Sequence, residues 1–209
     1  MSRTRLSWLT FATLTVAIVC LAAGFATAQT NDVYWVNYYS HPGKSGDTTF
    51  HIVNPGTAVT TLNNNGQPTN GQLCADIYVF NSDEQEVECC GCELTPDSEI
   101  TLSLETDLLG NPINSKNVTH DGVIKIVSGN LNATPCDPAA ENTAIVPTPE
   151  LRAWGTRNQA AGTTAVVETE GDFAAAPLTS SELTFAESLC SSIEAQGSGK
   201  GICTCGYGD

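Results

Sequence analysis

The sequence predicts a mainly β protein, an antiparallel β-sandwich of the Ig-like kind with a C-terminal helix and a disulfide-tied tail. Three observations carry this. Short runs of β-branched and aromatic residues recur between turn signals. One stretch, beginning near Thr179, combines a helix cap with helical periodicity. Nine cysteines are present, five of them in the clusters Cys89-Cys90-Gly91-Cys92 and Cys203-Thr204-Cys205.

Taken in order, Val33–Tyr39 is the first strand, rich in strand formers. Thr48–Val53 is the second, stopped by Asn54-Pro55-Gly56, and 57–62 is a short third. Asn63–Gly71 is polar and glycine-containing, hence loop. Leu73, Ala75, Ile77 and Val79 then alternate with Cys74, Asp76, Tyr78 and Phe80. Asn81–Gln85 turns the chain and Glu86–Cys92 returns as the partner strand. Thr95-Pro96-Asp97-Ser98 has type I turn chemistry, followed by the alternating Ile100, Leu102 and Leu104. Gly110-Asn111-Pro112 breaks the chain before a strand at Val123–Val127. Residues 131–150 form a connection containing Cys136, and Leu151–Trp154 and Thr163–Glu168 are two more strands. Thr179 caps the helix with Glu182 three residues on. Leu178 and Leu183 form its hydrophobic staple, and Ala186, Leu189, Cys190 and Ile193 continue its apolar face.

The first 28 residues read as a secretory signal peptide: Arg3 and Arg5, an apolar run from Leu9 to Ala23, then the small-residue site Ala26-Thr27-Ala28. Val19 before Cys20 argues against a lipid anchor at that cysteine, and no second hydrophobic run of spanning length follows. The expected organisation is signal 1–28, sandwich core 29–130, and strands, helix and tail at 131–209 on the same domain. Cleavage would leave 6 basic against 23 acidic residues, a formal charge of −17. Such a balance disfavours nucleic acid and anionic membrane, and keeps the chain dispersed.

Without Cys20 the cysteines number eight, Cys74, Cys89, Cys90, Cys92, Cys136, Cys190, Cys203 and Cys205, all candidates for disulfides in an oxidising compartment. A symmetric 81–85 turn sets Phe80 opposite Glu86 and Cys74 opposite Cys92, which makes the latter pair a cross-strand bridge, with Cys90 as the next choice for Cys74. The same register turns Cys89 inward with Ile77 and Val79. Cys190 would reach Cys203 or Cys205, leaving the other to Cys136 or the central cluster. A redox role for Cys89–Cys92 is disfavoured by its strand setting and by Glu86 and Glu88. Zinc is disfavoured by incomplete paired knuckles.

No catalytic residue, metal ligand or cofactor emerges. His41, His51 and His120 fit no signature, and His51 in its strand reads as structural. Gly43-Lys44-Ser45 lacks the spacing of a phosphate loop, and Asn81–Glu84 lacks a calcium-loop pattern. Asn117 and Asn132 head glycosylation sequons. Tyr34, Trp35, Tyr38, Tyr39 and Trp154 are candidate ligand-binding aromatics; alternation should bury Trp35 and expose some of the tyrosines.

The blocks Cys74–Phe80, Glu88–Cys92, Thr95–Asp97, Thr101–Leu104, Gly122–Val127 and Gly197–Gly206 resemble a group of uncharacterised secreted, acidobacteria-like, cysteine-rich β-sandwich proteins. The resemblance implies a bacterial secreted origin and brings no activity or site residue. The expectation is a secreted, non-enzymatic protein with a structural, adhesive or surface-associated role. Its partners would be extracellular polysaccharide or other surface proteins. The alternatives are an extracellular carbohydrate-binding module and, third, a secreted hydrolase with carboxylate chemistry.

Overall fold

The computed structural model describes residues 33–40, 47–113, 121–131, 136–139, 145–161 and 165–206. The expected signal peptide, Cys20, His41, His120, Gly43-Lys44-Ser45 and both sequons lie outside the described residues.

Among the described residues ten strands, one π-helical turn (Leu104–Leu108, between the fifth and sixth strands) and one α-helix follow one another: β1 (Val33–Ser40), β2 (Thr49–Asn54), β3 (Leu73–Asn81), β4 (Glu86–Leu94), β5 (Ser98–Ser103), β6 (Asp121–Leu131), β7 (Ile145–Pro147), β8 (Arg152–Ala161), β9 (Ala165–Asp172), β10 (Ala174–Pro177) and α1 (Ser180–Glu194). A first sheet has the order β10-β1-β6-β3-β4, with β7 also on β6, and a second has the order β5-β2-β8-β9. All strand pairings are antiparallel. Residues 131–209 thus supply strands to both sheets.

The core lies between the sheets. Leu73, Ala75, Ile77, Val79, Ile124 and Ile126 of the first meet Phe50, Ile52, Ile100, Leu102 and Ala153 of the second, all buried. Burying an aliphatic or aromatic side chain of this size contributes about 1.5–3 kcal/mol, so this layer holds the frame. A second apolar cluster forms on the opposite face of the first sheet, where Tyr78, Phe80, Cys89 and Val127 meet Ala186, Cys190 and Ile193 of α1. The alternation in β3 therefore separates two buried faces, and all nine of its residues are buried.

The helix forms as its sequence specifies. Thr179 is extended, and its Oγ1 accepts from the Glu182 amide at 3.1 Å. Leu178 and Leu183 pack on the second cluster. The Glu182 carboxylate pairs with Lys125 of β6, tying the first turn of α1 to the sheet.

Several expectations need correction. No strand forms at 57–62; beside a single Leu62–Pro68 bridge and turn bonds such as Val59 N–H to Gly56 O, the segment is held by side chains, with Asn70 Oδ1 accepting from the amides of Thr60 and Thr61 at 3.1 Å. Side-chain amides here replace a ladder. The 95–98 turn is type II and not type I, because Asp97 has φ +61° and Pro96 precedes it. The strands β7 and β10 were not expected; β10 is mostly alanine and pairs with β1 in register.

The largest correction concerns the β3–β4 register. Phe80 does face Glu86, but an irregularity between Val79 and Phe80 shifts the ladder by one residue. Ile77 then meets Cys90, Ala75 meets Cys92 and Cys74 meets Glu93. A one-residue slip exchanges the faces, so Cys74 and Cys92 cannot bridge. The bridges are Cys74–Cys136, Cys89–Cys190, Cys90–Cys203 and Cys92–Cys205. Cys89 points to the helix and away from Ile77, and Cys190 bonds Cys89 instead of either tail cysteine. Gly91 lets Cys136 cross β4, since a Cβ there would lie 2.6 Å from the Cys136 carbonyl oxygen.

The tail lies along β4, the edge of the first sheet. The Cys89 amide donates to Gly201 O at 2.8 Å, and the Cys203 amide donates to Cys89 O at 3.1 Å. The bridges from Cys90 and Cys92 fasten this added segment. An edge that would otherwise template association is covered and locked.

Candidate binding face

The structure disperses the five aromatics. Tyr39 is 1% exposed, its hydroxyl donating to Phe80 O at 3.3 Å. Trp35 is partly buried against the inter-sheet core, with the Arg152 guanidinium 5.4 Å from its ring centre. Tyr34 packs on the helix side. Tyr38 is 64% exposed, with Arg157 4.3 Å above its ring. Trp154 stands alone of the five on the second sheet, facing outward from β8. They form no common platform.

Trp154 does belong to a different row. Strand pairing places Thr101 of β5, His51 of β2, Trp154 of β8 and Asp172 of β9 side by side across the outer face of the second sheet. In the next row along, Ser103, Thr49, Thr156 and Glu170 are neighbours. The alternation that sends Phe50, Ile52, Ile100, Leu102 and Ala153 inward sends these residues outward.

The row is held from one end. His51 Nδ1 lies 2.8 Å from Glu99 Oε1 and 3.1 Å from Thr101 Oγ1. A carboxylate only accepts, so Nδ1 donates to it and the Glu99 contact fixes the ring's orientation. The imidazole in turn stacks on the Trp154 indole, with centroids 5.0 Å apart and planes 7° from parallel. His51 occupies the β2 side of the indole. On its β9 side is an open cavity of about 540 Å³ bounded by Trp154, Glu170, Gly171 and Asp172. The volume falls in the range of small-molecule sites. One wall is a half-buried aromatic ring, and the other carries two exposed carboxylates.

Sequence reasoning missed His51, Glu99, Thr101, Glu170 and Asp172 as members of a site. The pairing of β2 with β5 and β8 has no local signal. One signal was available: Glu168, Glu170 and Asp172 recur every second residue, the mark of a strand's wet face.

The helix-covered face of the first sheet is also rich in acids, but closed. Asp76 is buried, and burial, then the charges of Asp137 and Glu187, push its carboxyl well above the ordinary range. Burial raises Glu86 to about 9 against the opposing pull of Lys125. On the opposite, inter-sheet face, level with Val79, Glu88 rises to about 8 by burial, although its Oε1 accepts from the Asn111 amide at 2.7 Å, which opposes the shift. Tyr78 donates to Pro138 O at 2.9 Å, and burial pushes its hydroxyl pKa up. Glu86 and Glu88 are thereby held neutral near neutral pH. Glu86, Cys89 and Cys190 bring an oxygen and two sulfurs within 4.8 Å of one another. The sulfurs are bonded together, so they offer no thiolate to a metal.

No family model matches the chain, and no curated protein does. Among solved structures it is similar to the crystal structure of Thermotoga maritima 1070, at 11% identity and a TM-score of 0.39, over 70% of this chain and 96% of that one.

Proposed function

We propose that this is a secreted, disulfide-stabilised, non-enzymatic protein of adhesive or surface-associated role that engages extracellular polysaccharide through the outer face of its second sheet. The observation that carries the reading is the Trp154 indole, backed by His51 and fronting a cavity with Glu170 and Asp172. An aromatic face stacks on a sugar ring while carboxylates accept from hydroxyls. Four disulfides fit an oxidising, non-cytoplasmic compartment. Among the described residues no helix is long and apolar enough to cross a membrane. In this reading the frame serves as an Ig-like sandwich serves, presenting one sheet face on a rigid core; its bridges join β3 and β4 to a loop, a helix and the tail.

The test is binding of the oxidised protein to a panel of insoluble glucans, xylan and chitin, beside Trp154→Ala. Saturable binding weakened at least about tenfold by the substitution is expected. Binding to none, or binding indifferent to Trp154, would reject the reading. Glu170 and Asp172 on one cavity favour a second reading, hydrolysis. They are two residues apart on one strand and so project from the same face, where both carboxylates can meet one sugar. Release of reducing sugar that is lost in Asp172→Asn would put that reading first.

A further inference from the structure

We propose that the cavity beside Trp154 takes an amine-bearing sugar, a pyranose with a free ammonium as found in de-acetylated amino-polysaccharides. This rests on the polysaccharide-binding reading above and narrows its ligand. The cavity and its ring define the site. Trp154 borders the open space, and His51 stacks on one face of its ring, leaving the other for a ligand. A flat sugar ring is the shape that fits such a wall.

The groups opposite select among sugars. Asp172 is level with Trp154 in the ladder, and Glu170 lies one row further along the same face. The nearby cations are engaged elsewhere. Arg152 lies over Trp35 and donates to Pro149 O at 2.8 Å and Leu151 O at 2.7 Å. Arg157 donates to Asn37 Oδ1 and Tyr38 O. Among the described residues no cation pairs with Glu170 or Asp172. The cavity therefore combines an indole, the best aromatic partner for a cation, with two carboxylates that have no counter-ion among the described residues. A neutral sugar would use the ring and leave the charge unused. An ammonium on the sugar uses both, and a chain with formal charge −15 draws such a polymer to it.

The experiment measures binding of soluble oligomers of equal length, composed of glucosamine, N-acetylglucosamine or glucose, together with a lysine oligomer, at mildly acidic pH and at two salt concentrations. The proteins are the oxidised wild type, Trp154→Ala, Trp154→Phe and the Glu170→Gln/Asp172→Asn pair, each checked for an unchanged melting profile. Glucosamine oligomers should bind roughly tenfold tighter than the other two sugars. The carboxamide pair should erase that preference while keeping the residual sugar binding, Trp154→Ala should lose binding of every sugar, and Trp154→Phe should keep part of it. Equal binding of the three sugars would overturn the inference and leave the parent reading standing. Binding of no sugar would overturn both. Lysine oligomer bound as tightly as glucosamine oligomer would reassign the cavity to a basic peptide. Salt-sensitive binding unaffected by Trp154→Ala would reduce the effect to bulk charge and overturn the inference.

Discussion

Raising the pH from about 5.5 to about 7.5 should lower the stability of the folded protein, through acids buried on the two faces of the first sheet, Glu86 under the helix and Glu88 towards the second sheet. In the unfolded chain Glu86 and Glu88 titrate near the ordinary value of 4.5; in the fold burial lifts them to about 9 and about 8. The folded state therefore holds protons that the unfolded state has released throughout the window between those values. Their contribution is complete below the unfolded value and is lost as pH rises towards the folded one. Each such group costs about 1.4 kcal/mol per pH unit inside the window. Two groups over two units set a ceiling of about 5 kcal/mol, a large part of the roughly 5–15 kcal/mol that holds a domain together. Asp76, shifted the same way, adds to the slope. The assay is guanidinium unfolding at both pH values with disulfides intact, for the wild type and for Glu86→Gln/Glu88→Gln. A midpoint that falls with pH in the wild type, with a clearly shallower fall in the double variant, is expected. A wild-type midpoint that stays level or rises would refute the argument, because it would mean these acids are ionised in the fold.

Two further predictions concern the frame. Cys90–Cys203 and Cys92–Cys205 close loops of the same sequence separation, 113 residues. Chain entropy therefore makes them redundant: losing either pair should cost no more than about 2 kcal/mol, and losing both about 5 kcal/mol, measured by denaturation of the paired Cys→Ala variants. Equal costs that simply add would contradict this. At Gly155 a Cβ would sit 2.9 Å from two ring atoms of Phe50. Gly155→Ala should destabilise by about 1–3 kcal/mol in a thermal melt, and a neutral outcome would show that the Phe50 ring has room to move.

Much of the architecture is legible in residue order, because local chemistry decides it. Asn81 ends β3 and takes the Asp83 and Gln85 amides on its Oδ1, so the hairpin is visible from its turn. Thr179 with Leu178 and Leu183 announces the helix, since caps and staples are local devices. The disulfide pairing is not legible, although every cysteine involved is. One extra residue opposite Val79 leaves no mark in a period-two pattern, yet it turns Cys74 away from Cys92 and Cys89 towards Cys190. The row around Trp154 fails to show for a related reason. Thr101, His51, Trp154 and Asp172 come from four strands whose adjacency depends on long-range pairing, and only the alternating acids of β9 mark their face beforehand. His51 reads as a structural strand residue in the sequence; its neighbours, not its own position, make it the backing of an indole.

The central claim, that the protein binds through the Trp154 face, is tested most directly by hydroxyl-radical footprinting of the oxidised protein with and without saturating glucosamine or glucose oligomers. Phe185, 49% exposed and stacked on Phe80 of the first sheet, is the distant internal reference, and Tyr38, 64% exposed, reports the neighbouring edge of β1. Protection should centre on Trp154 and the Glu170–Asp172 peptide, with Tyr38 and Phe185 modified as before. An unprotected Trp154 at saturation, or protection confined to Tyr38 or Phe185, would contradict the account.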